Sequence, residues 1–533
     1  MKRFFFFSLL LACCFSAFAV RRVTLAQLQS DWQSAAGHTV CITTPLVVCG
    51  TFPDSVVLAP QRLYVPEEHA AGLADGDSAD YSRLAALNRD MRICLQCPKP
   101  YSLNLGATVR NLTAQVTGIR RLTTGKRPSF RNYRPSKRLP SLGSTDVVVC
   151  AANVQNYFVH LGGYASAKTT PAQHALQCYK VASALLALKA DLYALCELEK
   201  GSSAPAELAG AMNALSRKGG YTFVRTHTPD GDTISVGFVY DSTSLRPCGE
   251  LLFAAPAGSI YSQRFMLQGF THIPSGESFV VSLNHLRSKR GTPQESLRKR
   301  MANVDMLLSC IGRAYADSVY TDPDLLLLGD YNSYAQELPV QTIVRSGYAD
   351  LTCSTDSLAY TYSFNGECGA LDRVFASPSM QAQVTAVLPV HLNTDYYWSA
   401  AYWSKYNFRR NTVPHLAAPT AVPTSVPTAA PTSSPSSASP SSPSPSSSSL
   451  SVSLSPSLSS SSSAADDAPS PSSPSPSPSV FPSPSLSSSS AAAPSPSSSP
   501  SYIRRYLSPA AKRNLLFRYS DHDPLLIGIR FTR

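Results

Sequence analysis

Two histidines and a set of oxygen-bearing side chains stand where apolar runs of the sequence end. His285 closes "SFVVSLNH", His522 lies in "YSDHDP", and Glu197, Asp330, Asn332 and Asp521 sit in comparable positions. Carboxylates and amides are hard oxygen donors. Such a set suits Mg²⁺ or Mn²⁺, with Ca²⁺ as an alternative, rather than zinc, which favours nitrogen and sulfur. A cation of that kind polarises a phosphoryl oxygen and offsets charge that develops in a transition state. One histidine can take a proton from attacking water while the other serves the leaving oxygen. Each imidazole then needs an acid to fix its tautomer, and Asp372 and Asp232 are available. Arg287, Lys289 and Arg290 follow His285 closely and can hold flanking phosphates.

Such residues must be positioned by regular elements. From Asp146 onward the pattern alternates: "DVVVCAANVQNYF" reads as a strand, "HALQCYKVASALLALKA" as a helix and "DLYALCELE" as a strand again. "YTFVRTHTPDGDTISVGFVYD" reads as two strands around an Asp-Gly turn. "QESLRKRMANVDMLLSCIGRAYA" has helical spacing, "DLLLLGDYNSY" and "GALDRVFAS" read as strands, and "PLLIGIRF" as a last one. Five strands deliver Asn153, Glu197, His285, Asp330 with Asn332, and Asp372 at or near their ends. In layered α/β proteins, sites form where strand ends converge.

The rest of the chain bounds the setting. Residues 1–19 read as a secretory leader: Lys2 and Arg3, an apolar stretch to Phe15, then Ala17-Phe18-Ala19. Its apolar run is too short to span a bilayer, and no other run is long enough. Acylation of Cys13 in "LLAC" is the minor alternative to free export. Residues 20–142 show short β-like runs, which predict a small all-β domain for which the oligonucleotide-binding (OB) fold is one form. It ends in the basic, aromatic strip "TGKRPSFRNYRPSKRLP". Residues 412–501 are a Ser/Pro-rich tract that buries too little apolar surface to offset its conformational entropy, and is expected to be disordered. It separates residues 143–411 from 502–533. The net charge of +12 favours a polyanionic partner, and the tract contributes only Asp466 and Asp467 to it. Of 13 cysteines, Cys13 and Cys14 fall in the leader and an odd number remains. Cys41 with Cys49, Cys94 with Cys97, and Cys353 with Cys368 are local disulfide candidates in an exported chain.

Taken in order, "AANVQNYF", "ALCELE", "DGDTISVGFVY", "SLNHLRSK", "LLLLGDYNSY", "GALDRVFAS", "HLNTD" and "YSDHDPLL" resemble the endonuclease/exonuclease/phosphatase superfamily, in particular its secreted bacterial nucleases related to pancreatic-type deoxyribonuclease. The resemblance covers about Asp146 to Asp395 and resumes at Arg518. It implies a four-layer α/β sandwich, two packed β-sheets flanked by helices. It implies Glu197 as principal metal ligand with Asp521 at the metal, and Asn153 ordering the metal and phosphate site. Asp330 and Asn332 would bind metal or scissile phosphate, and His285 would act on the leaving group with Asp232 as partner. Asp372 would orient His522 as general base, and Asn393 and Asp395 match a further motif that faces substrate. Three departures stand out: Cys196 where the family has Gln, Arg373 in place of a frequent His at a phosphate contact, and the length of the Ser/Pro insertion.

These observations predict an exported, divalent-metal-dependent phosphodiesterase acting on DNA, with RNA as a second substrate and no stable protein partner. The same scaffold also cuts sphingomyelin and phosphoinositides, and "YYWSAAYWSKY" offers aromatic residues for a lipid surface. A non-catalytic surface protein with the Ser/Pro tract as stalk is the reading from another class. The catalytic-looking segment after the tract argues against it.

Overall fold

The computed structural model describes residues 20–133, 138–160, 171–216, 218–226, 233–254, 264–396 and 518–532. The leader, Asp232, the aromatic run after Tyr396 and the Ser/Pro tract lie outside the described residues.

The N-terminal part contains β1 (Arg21–Val23), β2 (Thr39–Ile42), β3 (Leu46–Thr51), β4 (Ser55–Ala59), β5 (Ile93–Gln96), β6 (Thr108–Val109), β7 (Leu112–Gly118) and β8 (Arg121–Thr123). Their sheet order is β1-β2-β7-β8-β5-β4-β3-β6. Because β2 and β3 are two halves of one bent run, that order returns on itself: β2 pairs with β7 and β3 with β4. The β5–β8 contact is parallel, and the ring it completes has the OB strand order. Val40, Ile42, Val48, Leu58, Leu95 and Val116 fill its interior. This part is not all-β, however. A 13-residue helix, α1 (Ala79–Met91), joins β4 to β5. It is polar on most sides, so no apolar stripe marks it in the sequence.

The remainder is a four-layer sandwich. One sheet has the order β11-β12-β10-β9-β22-β21. Its strands are β9 (Val147–Tyr157), β10 (Leu192–Glu199), β11 (Tyr221–Phe223), β12 (Ile234–Asp241), β21 (Val384–Pro389) and β22 (Leu525–Ile529). The other has the order β13-β14-β15-β16-β20-β17. It comprises β13 (Leu245–Phe253), β14 (Phe265–His272), β15 (Ser278–His285), β16 (Leu325–Asp330), β17 (Ala349–Asp350) and β20 (Asp372–Ala376). Between them lies a core that includes Val149, Ala194, Phe238, Phe270, Val281, Leu328, Val374 and Ile527. Outside the first sheet pack α2 (Pro171–Leu188) and α3 (Ser203–Leu215), through Val181, Leu185, Leu208 and Met212. Outside the second pack α4 (Pro293–Ala316) and α5 (Leu338–Arg345), through Val304, Leu307, Ile311 and Ile343. Burial on both faces explains why "LLLLGD" is wholly apolar up to its end. The start of α4 is set by Thr292, whose hydroxyl accepts from the Glu295 N–H at 3.3 Å, and by Pro293 in the first turn.

The final strand is central rather than peripheral. β22 runs antiparallel between β9 and β21. The chain leaves at Tyr396 and is described again at Arg518, and these ends are held together. Arg518 N–H donates to the Leu392 carbonyl at 2.7 Å, and the Tyr519 N–H donates to Asn393 Oδ1 at 2.9 Å.

The N-terminal ring is joined to the sandwich through the hairpin of β18 (Tyr362–Phe364) and β19 (Glu367–Gly369). Cys368 N–H donates to the Leu63 carbonyl, and Val65 N–H donates back to the Cys368 carbonyl, so the segment at Tyr64 adds to the hairpin. Gly50 and Gly366 let the two backbones approach: a Cβ on Gly50 would lie 3.0 Å from the Gly366 Cα. Two buried ion pairs cross the same seam, Arg62–Asp395 at 3.1 Å and Arg373–Glu68 at 3.2 Å.

Candidate active site

The two sheets bring their polar strand ends together over the inter-sheet core. Asn153 of β9 donates from Nδ2 to Glu197 Oε1 and to Asp330 Oδ2, each at 3.1 Å. One amide thereby links a carboxylate of the first sheet to one of the second. Glu197 sits at a bulge in β10, where pairing to both β9 and β12 shifts register, and its φ is +64°. A β-bulge re-aims one side chain out of the alternation, and here it turns Glu197 toward the site. Its Oε2 accepts from the Asn156 N–H at 2.8 Å.

Asp330 ends β16 directly after Gly329, whose φ is +127° and where a Cβ would fall 2.1 Å from the Asn284 carbonyl oxygen. No other residue fits there, so the backbone that delivers Asp330 depends on this glycine. Asp330 Oδ1 accepts from the Asn332 N–H at 2.9 Å, while the Asn332 side chain donates to the Leu286 carbonyl at 3.0 Å. Asn332 therefore fixes the loop behind Asp330.

His285 and His522 face Asp330 Oδ2 through their Nε2 atoms, at 3.7 and 3.9 Å. His522 Nδ1 is bonded to Asp372 Oδ2 at 2.8 Å, and the ring leans on Tyr362 at 4.7 Å between centroids. Burial opposes a charge on His522, but the Asp372 and Asp330 carboxylates outweigh it and hold the imidazole well above its ordinary range. His285 behaves in the opposite way. Burial, reinforced by the Arg264 guanidinium, holds it well below that range. Arg264 can only donate, and its NH1 lies 3.3 Å from His285 Nδ1, so the neutral ring carries its proton on Nε2. Burial raises Glu197 and brings Asp330 up to about 7, with Asp521 adding to the first and Asp372 to the second.

Two groups have donor atoms close enough to share an ion: Glu197, His285 and Asp330, and Asp330, Asp372 and His522. Buried carboxylates held in the charged form by few cations, with an amide between them, fit a hard divalent cation. Asp521 lies beside them, lining a pocket of about 470 Å³ with Arg518 and Tyr362.

Other expected residues lie elsewhere. Arg373 is not at a phosphate site: it is 1% exposed and bonded to Glu68 and Asp350. Asn393 is buried and acts as a clamp, donating to the His522 carbonyl at 2.6 Å and accepting from the Tyr519 N–H. Asp395 pairs with Arg62 and accepts from the Tyr360 hydroxyl, so it too is part of the seam. Lys289 is engaged by Glu337 at 2.6 Å, and Arg290 is exposed after His285. Arg287 donates its N–H to Asn303 Oδ1 at 3.1 Å. Asp232 lies outside the described residues, and Arg264 stands at His285 Nδ1. The expected disulfides are absent among the described residues: Cys41, Cys49, Cys94, Cys97, Cys353 and Cys368 are all free thiols. Cys49 instead contacts the Gln61 carbonyl, Cys353 contacts Glu68 and Cys368 contacts Arg62.

Sequence reasoning missed Arg264, Tyr362 and Arg518, which carry no local mark of a site. It also left the second acid of "YSDHDP" without a role. Asp523 is fully buried, accepts from the Asn393 and Thr394 N–H groups and bonds His391 Nδ1 at 2.8 Å. Its place one residue after His522 was the available signal.

No family model matches the chain, and no curated protein does. Solved structures do resemble it. The human Nocturnin catalytic domain with bound sulfate is 17% identical, with a TM-score of 0.34, over 47% of this chain and 88% of that one. An endonuclease/exonuclease/phosphatase family protein from Bacteroides thetaiotaomicron is 16% identical, with a TM-score of 0.34, over 46% and 86%. D. rerio TDP2 complexed with a single-strand DNA product is 16% identical, with a TM-score of 0.32, over 46% and 88%.

Proposed function

We propose that the protein is a divalent-metal-dependent phosphodiesterase that hydrolyses nucleic acid, DNA first and RNA second, after export. The observation that carries this reading is the Asp372–His522 pair at 2.8 Å, with His522 Nε2 directed at a cluster of buried carboxylates. Glu197, Asp330 and Asp521 would hold the cation, which when bound supplies Lewis-acid polarisation of the phosphoryl group. The chain's own residues do the rest. Asp372 fixes the His522 ring through Nδ1; with a cation offsetting the acids that otherwise keep the ring protonated, Nε2 would accept a proton from water as the water oxygen attacks phosphorus. His285, neutral with its proton on Nε2, donates a hydrogen bond to the leaving oxygen as its bond to phosphorus breaks, and water supplies the proton that this oxygen takes up. Asn153 keeps Glu197 and Asp330 in register and can donate to a phosphoryl oxygen once a cation relieves it. The net charge of +12 supports a polyanionic substrate. Export rests on the leader-like residues 1–19, and Mg²⁺ or Mn²⁺ on the oxygen-rich donor set. The aromatic run that suggested a lipid substrate lies outside the described residues apart from Tyr396.

Nicking of supercoiled plasmid with Mg²⁺ or Mn²⁺, with and without chelator, tests this. Wild type is expected to nick only with metal, and His522→Ala to be inert. Cleavage of sphingomyelin with no action on DNA or RNA would overturn it.

A further inference from the structure

We infer that a second pocket, between the N-terminal ring and the β18–β19 hairpin, binds single-stranded nucleic acid flanking the scissile bond. This rests on the phosphodiesterase reading above. The pocket has a volume of about 630 Å³ and is reached from the catalytic pocket across one turn, because Phe364 and Asn365 line both. The catalytic pocket is itself walled by Gly50, Thr51 and Phe52 of the ring, so both domains shape a continuous path.

Its charge suits phosphates. Arg89, Arg92, Arg120 and Arg121 come from the ring side and Lys289 from the sandwich, against only Glu67 and Glu367 in the lining. Arg89 and Arg120 share the exposed carboxylate of Asp90, at 3.4 and 2.9 Å. Lys289 is paired with Glu337 and lies 3.8 Å from the centre of the Tyr334 ring. Arg121 is exposed, and Arg92 is partly buried with its Nε atom lacking a hydrogen-bond partner. Exposed and rim cations are what a phosphate backbone displaces counterions to reach.

Its aromatic content suits unpaired bases. Phe364 is 60% exposed at the hairpin tip, between the two pockets. A large apolar ring held in water on a tightly docked hairpin has no packing role there. A base released from the active site can stack on it, whereas a duplex would keep its base faces covered. Gly366, with φ +87°, lets Arg92 come under this tip; a Cβ there would lie 3.2 Å from the Arg92 guanidinium.

The test separates this site from the catalytic one. Arg120→Ala/Arg121→Ala and Phe364→Ala change exposed or rim residues and are assayed on bis-p-nitrophenyl phosphate and on a 20-nucleotide single strand. Expected for the arginine variant is unchanged turnover of the small diester, with KM for the single strand raised about tenfold, kcat kept and a shallower dependence of KM on salt; for Phe364→Ala, the rise in KM for the single strand is expected to exceed any change on the small diester about tenfold. In chelator, the single strand is also expected to protect the exposed thiol of Cys94, which lines the pocket, from alkylation. Wild type inert on both substrates overturns the phosphodiesterase reading. Wild type active with both variants unaffected on the single strand overturns the pocket alone. Equal losses on both substrates also overturn it, since the hairpin would then serve only the active site. A loss seen equally on duplex, with Phe364→Ala silent, replaces single-strand binding by a duplex backbone contact.

Discussion

Buried charge occurs in two regions of this protein and is treated differently in each. At the seam between ring and sandwich, the acids face guanidinium groups: Asp395 has Arg62, and Glu68 and Asp350 share Arg373. At the junction of the two sheets, Glu197, Asp330 and Asp372 meet imidazoles, the Asn153 amide and backbone N–H groups. The first arrangement sets each acid against a guanidinium and holds two domains together. The second is stable only in part, with carboxylates raised by burial and by one another. An excess of negative charge that folding leaves in place is a demand for a partner from outside, and here it marks the site.

The largest effect that would break this contrast comes from His522→Ala. Its kcat on plasmid DNA should fall about 10³-fold or more, with little change in thermal stability. Arg373→Met should do the reverse. It strands Glu68 and Asp350 and is expected to cost on the order of 3–5 kcal/mol in denaturant unfolding, while any protein that still folds keeps its activity. A smaller effect sharpens the comparison through pH. Asp330 is raised from 3.8 to about 7, so in chelator the unfolded chain ionises this group before the folded one does. Wild-type stability should then fall as pH rises from 4 to 7, at up to about 1.4 kcal/mol per unit. Asp330→Asn removes that loss, so it should unfold at a higher temperature than wild type at pH 8, the gap closing at pH 4, with activity abolished. The smallest effect belongs to deletion of residues 412–501. The described chain on either side, up to Tyr396 and from Arg518, is held together at Asn393, and closing a long loop costs only logarithmically more than a short one, so melting temperature and kcat should stay near wild type.

Much of the sandwich and most of the catalytic cluster were legible because a buried strand leaves few roles for the polar residue that ends it. Asn153, Glu197, His285, Asp330, Asp372 and His522 all converge as their positions suggested. Arg373, Asn393 and Asp395 misled, because their partners are remote in sequence. Arg373 meets Glu68 and Asp395 meets Arg62, each about 300 residues earlier, and no local pattern encodes that. The β-rich character of the N-terminal part was readable from its β-like runs, whereas its strand order and α1 were not, since pairing is not encoded locally and the packing of α1 leaves most of its surface polar. Arg264 escaped notice because its role depends on strand pairing that sets it beside His285.

The placement of β22 also bears on the timing of synthesis. Residues 520–529 supply His522 and the strand between β9 and β21, and they leave the ribosome after everything else in the sandwich. Domains elsewhere fold as their chain emerges, at about 5–20 residues per second. Here the N-terminal ring can do so, but the first sheet stays open, and His522 unplaced, until the segment that carries β22 has emerged. A nascent chain therefore lacks both the proposed base and the closed first sheet, and gains the two in a single late step.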